Sequence, residues 1–580
     1  MSQITGHLTV VLHSHLPYVI GHGRWPHGAD WLNEAAAESY IPLLNVMNRL
    51  VEEGISPKVT IGLSPVLAEQ VADEQFKDEF VGYLEQKIDA AVDDRAHFLT
   101  YHYKHLADLA KGWREFYEKT LEDFRVTYNS NLISAFKKLQ DAGHIEIITC
   151  GATHGYFPLL SQDSSIEAQT KMAVKSYTRL FGKKPRGMWI PECAYRPKYA
   201  WTPPVPSKAG RRPYMRKGTE EFLADNEIDY FFIDAHLLRG GKAIGVYLQR
   251  FEALRKLWGA FSSQYQTLPE DEDKSPYQSY LVSSNGNTSR PVAILTRDPQ
   301  TASQVWSGDL GYPGDGNYID FHKKHYPGGH RYWRVTSARA DLADKLEYDP
   351  KTAQARIPEH AAHFVKLVQE NLMNSYKEIG KPVVLCAPFD TELFGHWWFE
   401  GPEFLYHVLK GIAQSSESTG IKLSTGSEYL DIAKPSVTVS IPEGSWGEGG
   451  FHYIWLNEWT HWTWKHVYDA EVDLQEMVED YGSHQDTRVH DVLKQCAKEL
   501  LLLQESDWQF LISTWSARDY AEMRLIEHYQ NFNRLSLLVH HLVQNAADGG
   551  KEIDSGEWNF YLDCSKQNRL FPDIELEWFK

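Results

Sequence analysis

At 580 residues the chain is longer than a single hydrophobic core usually serves, so more than one structural unit is expected. A hydrophobic fraction of 42% beside 24% charged residues is ordinary for a globular protein, whereas 19 Trp, 31 Tyr and 25 Phe make a heavy aromatic load. The formal charge of −19 excludes the basic face that a nucleic-acid partner needs and disfavours anionic membrane surfaces, which leaves neutral substrates.

The first apolar run, Leu8–Leu12, follows a leader without basic residues and is soon broken by His and Pro. It reads as a strand and not as a signal peptide. Similar short runs bounded by turn residues follow at Val59–Leu63, Ile145–Thr149, Gly187–Ile190, Tyr230–Ile233, Val292–Leu295 and Val383–Ala387. They are apolar on both faces, as parallel strands buried between helices are. Amphipathic stretches such as Leu43, Val46, Met47 and Leu50 lie between them, so the pattern predicts an α/β fold, a distorted (β/α)7 barrel of the TIM type. A charged, helical insertion of about 73–139, with Phe80, Leu84 and Ile88 on one face, is expected to form a subdomain over the barrel. Trp201–Lys217 and Leu248–Arg290 read as irregular insertions, the latter ending in a mobile polar loop. The barrel unit is placed at 1–425 and a mostly helical C-terminal domain at 426–580, with long helices near Asp473–Gln504 and Ser516–Ala546. Five cysteines without C-x-x-C spacing suit reduced thiols in a cytoplasm, and no apolar run is long enough to span a membrane.

In a parallel barrel the reactive groups gather where strands end and βα loops begin. Here those points carry His13-Ser14-His15, Thr153-His154-Gly155, Pro191-Glu192-Cys193 and Phe389-Asp390-Thr391-Glu392. Any one carboxylate could be a helix cap or half of a buried ion pair, but several converging on one rim favour a site. Glycosidic cleavage needs two carboxylates, one to protonate the leaving oxygen and one to attack C1 or activate water. Glu192 and Asp390, or Glu192 and Glu392, would serve, and the pattern does not separate the last two. His13, His15 and His154 could instead ligate a metal, as in a polysaccharide deacetylase. Without an HExxH sequence, hydrogen bonding to sugar hydroxyls or orientation of the carboxylates is the preferred reading. No P-loop, dinucleotide fingerprint or GxSxG elbow occurs.

The ordered segments HSHLPY (13–18), GATHGYFP (151–158), GMWIPECAYRP (187–197) and APFDTELFGHWWFEGP (387–402) resemble those of glycoside hydrolase family 57, and within it most those of 1,4-α-glucan branching enzymes. The aromatic stretch around Trp446–Lys465 is the weakest match. The resemblance implies a (β/α)7 barrel, a retaining double displacement and no metal or organic cofactor. It also implies Glu192 as nucleophile and Asp390 as acid/base, which removes Glu392. Tyr247, Arg297, Trp306, Gly314, Trp446 and Asp507 are implied as substrate-binding, beside His13, His15 and His154 from the strand ends. The expected partner is an α-glucan substrate (amylose, amylopectin or glycogen), with no nucleic acid or membrane, and the protein is expected to be a cytoplasmic monomer or weak oligomer. A family 57 α-amylase or 4-α-glucanotransferase is the nearest alternative. Branching members close a Tyr-bearing loop over the intermediate, and Tyr247 is its nearest counterpart, though the insertion after it departs from the pattern.

Overall fold

The computed structural model describes residues 4–208, 210–243, 251–261, 267, 269–284, 290–307, 310–547 and 554–580. Seven parallel strands form its centre: β1 (Gly6–Ser14), β2 (Val59–Leu63), β3 (Ile145–Cys150), β4 (Gly187–Trp189), β5 (Tyr230–Ile233), β6 (Val292–Thr296) and β7 (Val383–Asp390). They lie where the apolar runs predict them. Neighbours follow the order β7-β1-β2-β3-β4-β5-β6, and a parallel bridge from Arg297 to Cys386 ties the end of β6 back to β7. The sheet is therefore a curled, distorted barrel. Both faces of these strands are buried, β1 along its whole length, because helices cover the outside and side chains fill the inside.

Between β2 and β3 two long helices, α1 (Glu74–Thr100) and α2 (Lys104–Glu122), pack against each other as a hairpin, with Phe76, Phe80 and Leu84 buried along α1. The helix that follows them, Leu132–Asp141, packs on β3 and so belongs to the barrel wall. Two stretches read as irregular prove partly regular. Tyr199–Trp201 pairs antiparallel with Tyr214–Arg216, and Tyr280–Val282 pairs antiparallel with β6. Alternation of exposed and buried side chains over only three residues is too short a signal to read from sequence. Thr438–Val439 in turn pairs with Tyr280–Val282, so the sheet runs past residue 425.

The rest of the chain is helical: α3 (His461–Tyr481), α4 (Thr487–Leu503), α5 (Asp507–Thr514), α6 (Arg518–Ala547) and the helix Ser555–Gln567. The single helix expected near Asp473–Gln504 is instead parts of α3 and α4. Gly482 closes α3, and the Asp486 carboxylate caps α4 by accepting from the Arg488 N–H, so local capping overrides the continuous apolar period. No helix among the described residues is long and apolar enough to cross a membrane. All five cysteines are buried free thiols.

Candidate active site

Four strand ends deliver the side chains singled out above. β1 ends in His13 and Ser14, and the parallel register sets His13 beside Asp390, the half-buried last residue of β7. His13 Nε2 lies 3.0 Å from His154 Nε2, so one ring donates its proton to the other. Burial holds both imidazoles well below their ordinary pKa, with the neighbouring His15 adding to the effect, so the pair is neutral. His15 bonds Ser64 through Nδ1 (2.8 Å) and faces the Asp507 carboxylate with Nε2 (3.2 Å). The His15 and His154 rings stack at 4.0 Å with 9° between planes.

Glu192 follows β4 in the turn Pro191–Cys193 with φ 61° and ψ 23°, a left-handed conformation that is strained for a side-chain-bearing residue. What holds it there comes from far along the chain. The Trp446 N–H donates to the Glu192 carbonyl (3.0 Å), and Trp446 Nε1–H donates to Glu192 Oε2 (2.6 Å). The segment bearing Trp446 is pinned to the exit of β4 by two bonds between Tyr195 and Gly444 (2.8 and 3.0 Å). It turns back through Gly450, at φ 71°, where a Cβ would lie 2.4 Å from His236 Nε2, so only glycine fits. His154 Nδ1 approaches Glu192 Oε1 at 3.9 Å and is itself fixed by Ser506 Oγ at 2.8 Å. Burial pushes the Glu192 carboxyl up to about 8; the Trp446 hydrogen bond lowers it, and the Asp507 and Asp390 charges raise it.

Glu392, the rival carboxylate, is buried and accepts a 2.5 Å hydrogen bond from the Tyr40 hydroxyl of the π-helical stretch Ala36–Tyr40. Burial also lifts it to about 8. Its partner lies in the packing between that stretch and the turn after β7.

Of the other predicted residues, Arg297 is buried, pairs with Asp234 (3.2 Å) and lies 5.4 Å from the centre of the Trp446 ring. It supports Trp446. Trp306 is buried and faces Trp397, on the loop that follows Asp390, with ring centres 6.4 Å apart. Gly314 closes a turn onto the Gly311 carbonyl (3.0 Å), and the adjoining Asp315 is held by Arg356 of the outer helix Pro350–Ile379 (3.1 Å). Tyr247 lies outside the described residues. Sequence reasoning missed Trp189, which stacks on His13 (4.8 Å, 14°), together with Ser64 and Ser506. Trp189 sits in the quoted WIPE segment but looks like any buried strand residue. The serines carry no pattern of their own.

Ligand atoms of His15, His154 and Asp507, and those of His13, Cys150 and His154, lie within 4.8 Å of one another. Metals sit in the plane of a ligating imidazole, and the near-parallel planes of His15 and His154 aim their lone pairs side by side instead of at one point. Polar contact with a sugar suits this geometry better.

A curled barrel whose mouth sets two carboxylates among neutral histidines and indoles is the framework of a glycoside-processing enzyme. The chain belongs to glycosyl hydrolase family 57, whose profile matches residues 9–442. Residues 466–579 match the profile described as 1,4-alpha-glucan branching enzyme, C-terminal. A 1,4-alpha-glucan branching enzyme of Thermococcus kodakarensis is 40% identical over 532 residues, which cover 92% of this chain and 73% of that protein. A probable 1,4-alpha-glucan branching enzyme of Mycobacterium tuberculosis is 28% identical, with 91% of each chain covered. Among solved structures, the branching enzyme of Pyrococcus horikoshii superposes with a TM-score of 0.85 at 37% identity, covering 99% of this chain and 97% of that one. The α-amylase AmyC of Thermotoga maritima does so with a TM-score of 0.77 at 27% identity, covering 99% of each.

Proposed function

We propose that the chain is a 1,4-α-glucan branching enzyme, which moves a segment of an α-1,4 chain to a 6-hydroxyl and so creates an α-1,6 branch. The observation that carries this reading is the clamp on Glu192. Its carboxylate and backbone are held by Trp446, and its neighbouring histidines by Ser506 and Asp507, the latter two within residues 466–579, which match the branching-enzyme C-terminal profile. We assign the barrel to 1–425 and the helical unit to 426–580, with Thr438–Val439 of the latter reaching back to the barrel sheet.

In this reading Glu192 Oε attacks C1 while Asp390 gives its proton to the departing O4, breaking the glycosidic bond and leaving a glucosyl ester on Glu192. The 6-hydroxyl of an acceptor then loses its proton to Asp390 and attacks C1, which releases Glu192 as carboxylate. His15 and Asp507 offer hydrogen bonds to the hydroxyls of the bound sugar, His13 and His154 fix each other beside Glu192, and Trp446, with both N–H groups on Glu192, offers its ring.

A second assignment of roles has a specific observation behind it. Glu192, at about 8, holds a proton at neutral pH in the free protein, whereas a nucleophile must be ionised. The short Trp446 N–H bond favours the ionised form and supports Glu192 as nucleophile. Azide separates the two. With an activated α-glucosyl donor, removal of the nucleophile lets azide attack C1 directly and gives the β-azide; removal of the acid/base leaves the ester for azide to open and gives the α-azide. We expect β-azide from Glu192→Ala and α-azide from Asp390→Ala, and the reverse would exchange the roles.

Branching itself is tested on amylose. The iodine spectrum should shift, and a debranching enzyme should then release new short chains. A rise in reducing ends without chains released on debranching would make the protein a hydrolase, as its likeness to AmyC allows.

A further inference from the structure

Trp515 stands on the surface, 50% exposed, directly after α5. Its backbone is left-handed, with φ 58° and ψ 18°. This is the position past a helix end where glycine is free of strain and a bulky aromatic residue is not. A strained, exposed indole earns nothing from core packing, and such outliers persist where a function holds them.

The ring does not stand alone. Trp459 lies beside it, with centres 5.1 Å apart and planes at 42°, and the Arg518 guanidinium is 5.8 Å from the Trp515 ring centre. Trp459 is half-buried and rigidly seated. Its backbone N–H donates to Asn457 Oδ1 (2.9 Å), and Asn457 Nδ2 donates to Ser513 Oγ (2.8 Å) in the last turn of α5. Ser513 Oγ donates in turn to the Ile454 carbonyl (2.5 Å). The hydroxyls of Thr514 and Ser516, which flank Trp515 in sequence, lie 2.8 Å apart.

Both indoles are joined along the chain to residues of the site. Trp459 ends the segment that begins with Trp446 on Glu192, and Trp515 ends the helix that begins with Asp507 beside His15. At ~1.5 Å per residue, α5 separates Asp507 from Trp515 by about 12 Å, beyond the sugar that Asp507 can reach.

We propose that Trp515, backed by Trp459, is an outer platform that takes the apolar face of a glucosyl unit several sugars away from the bond being cleaved. The ligand class is a neutral α-1,4-glucan long enough to run from Glu192 to the end of α5. This rests on the glucan reading above and adds to it a preference for long chains.

The test uses the full chain carrying Glu192→Gln, which binds glucan without turning it over. Affinity is measured for amylose and for maltotriose, the latter too short to span the distance. Trp515→Gly should weaken amylose binding about five- to tenfold, the range of one aromatic contact of ~1 to 1.4 kcal/mol, and leave maltotriose unchanged. The same substitution should raise Tm, because glycine relieves the left-handed backbone. Trp515→Tyr, which keeps a ring, should retain most of the amylose affinity. Unchanged amylose binding in Trp515→Gly, or an equal loss for both ligands, would overturn the platform. Length-dependent binding by a wild-type protein that leaves amylose unbranched would sink the branching reading and leave the platform standing.

Discussion

Replacing Glu192 by Gln should do two opposite things: abolish turnover and stabilise the fold at neutral and alkaline pH. The structure gives the size of the second effect. Burial moves this carboxyl from 4.5 to about 8, so between those values the folded protein holds a proton that the unfolded chain releases. Where the folded state binds more protons, stability falls as pH rises. The wild type therefore loses stability progressively from about pH 4.5 to pH 8, and the neutral glutamine does not. The interval spans about 3.5 pH units, and at ~1.36 kcal/mol per unit the ceiling is near 5 kcal/mol. Burial is the largest cause of the rise and the Asp507 and Asp390 charges add to it, so about 2–5 kcal/mol is expected. The glutamine carbonyl can still accept from Trp446 Nε1, which keeps the clamp. Urea unfolding of both proteins at pH 5 and pH 8 measures it. The gap between them should be small at pH 5 and open to a few kcal/mol at pH 8, with turnover down more than about 1,000-fold. Parallel stability curves would show that Glu192 is ionised throughout, and the account of its burial would fail.

Four further outcomes follow from the same contacts. Trp446→Phe keeps the ring and deletes the Nε1 donor that lowers the Glu192 pKa, so the acid limb of kcat/KM should move to higher pH and kcat/KM fall by about 10- to 100-fold, ~1.5–3 kcal/mol for a bond to a charged group. Asp507→Asn removes a charge that raises the Glu192 pKa, and the same limb should move to lower pH; a shift upward would refute the electrostatic reading. Glu392→Gln should leave activity within about tenfold whereas Asp390→Asn removes it, and Tyr40→Phe should cost about 1–3 kcal/mol of stability measured by denaturation, because a buried carboxyl loses its donor.

The barrel was legible because parallel strands covered on both sides are written as unbroken apolar runs, and all seven lie where those runs fall. Glu192, Asp390 and the three histidines were legible because each follows such a run. Tyr40 was not, although its hydroxyl meets Glu392, since the two are 352 positions apart and neither pattern refers to the other. Ser506 escaped for the same reason: its bond to His154 also spans 352 positions. The break between α3 and α4 is a capping choice at Asp486 that a continuous apolar stripe conceals. The choice between Asp390 and Glu392 lay in alternation along an extended segment, which treats them alike. In the fold Tyr40 occupies one of them and His13 neighbours the other.

The donor that grips Glu192 is encoded 254 residues after it. A ribosome that has just completed β7 has therefore made both carboxylates but neither Trp446 nor Asp507. During synthesis the nascent barrel cannot hold Glu192 in its left-handed turn with the indole against it. With Glu192 as the proposed nucleophile, a chain that ends before Trp446 is expected to be inert toward α-glucan.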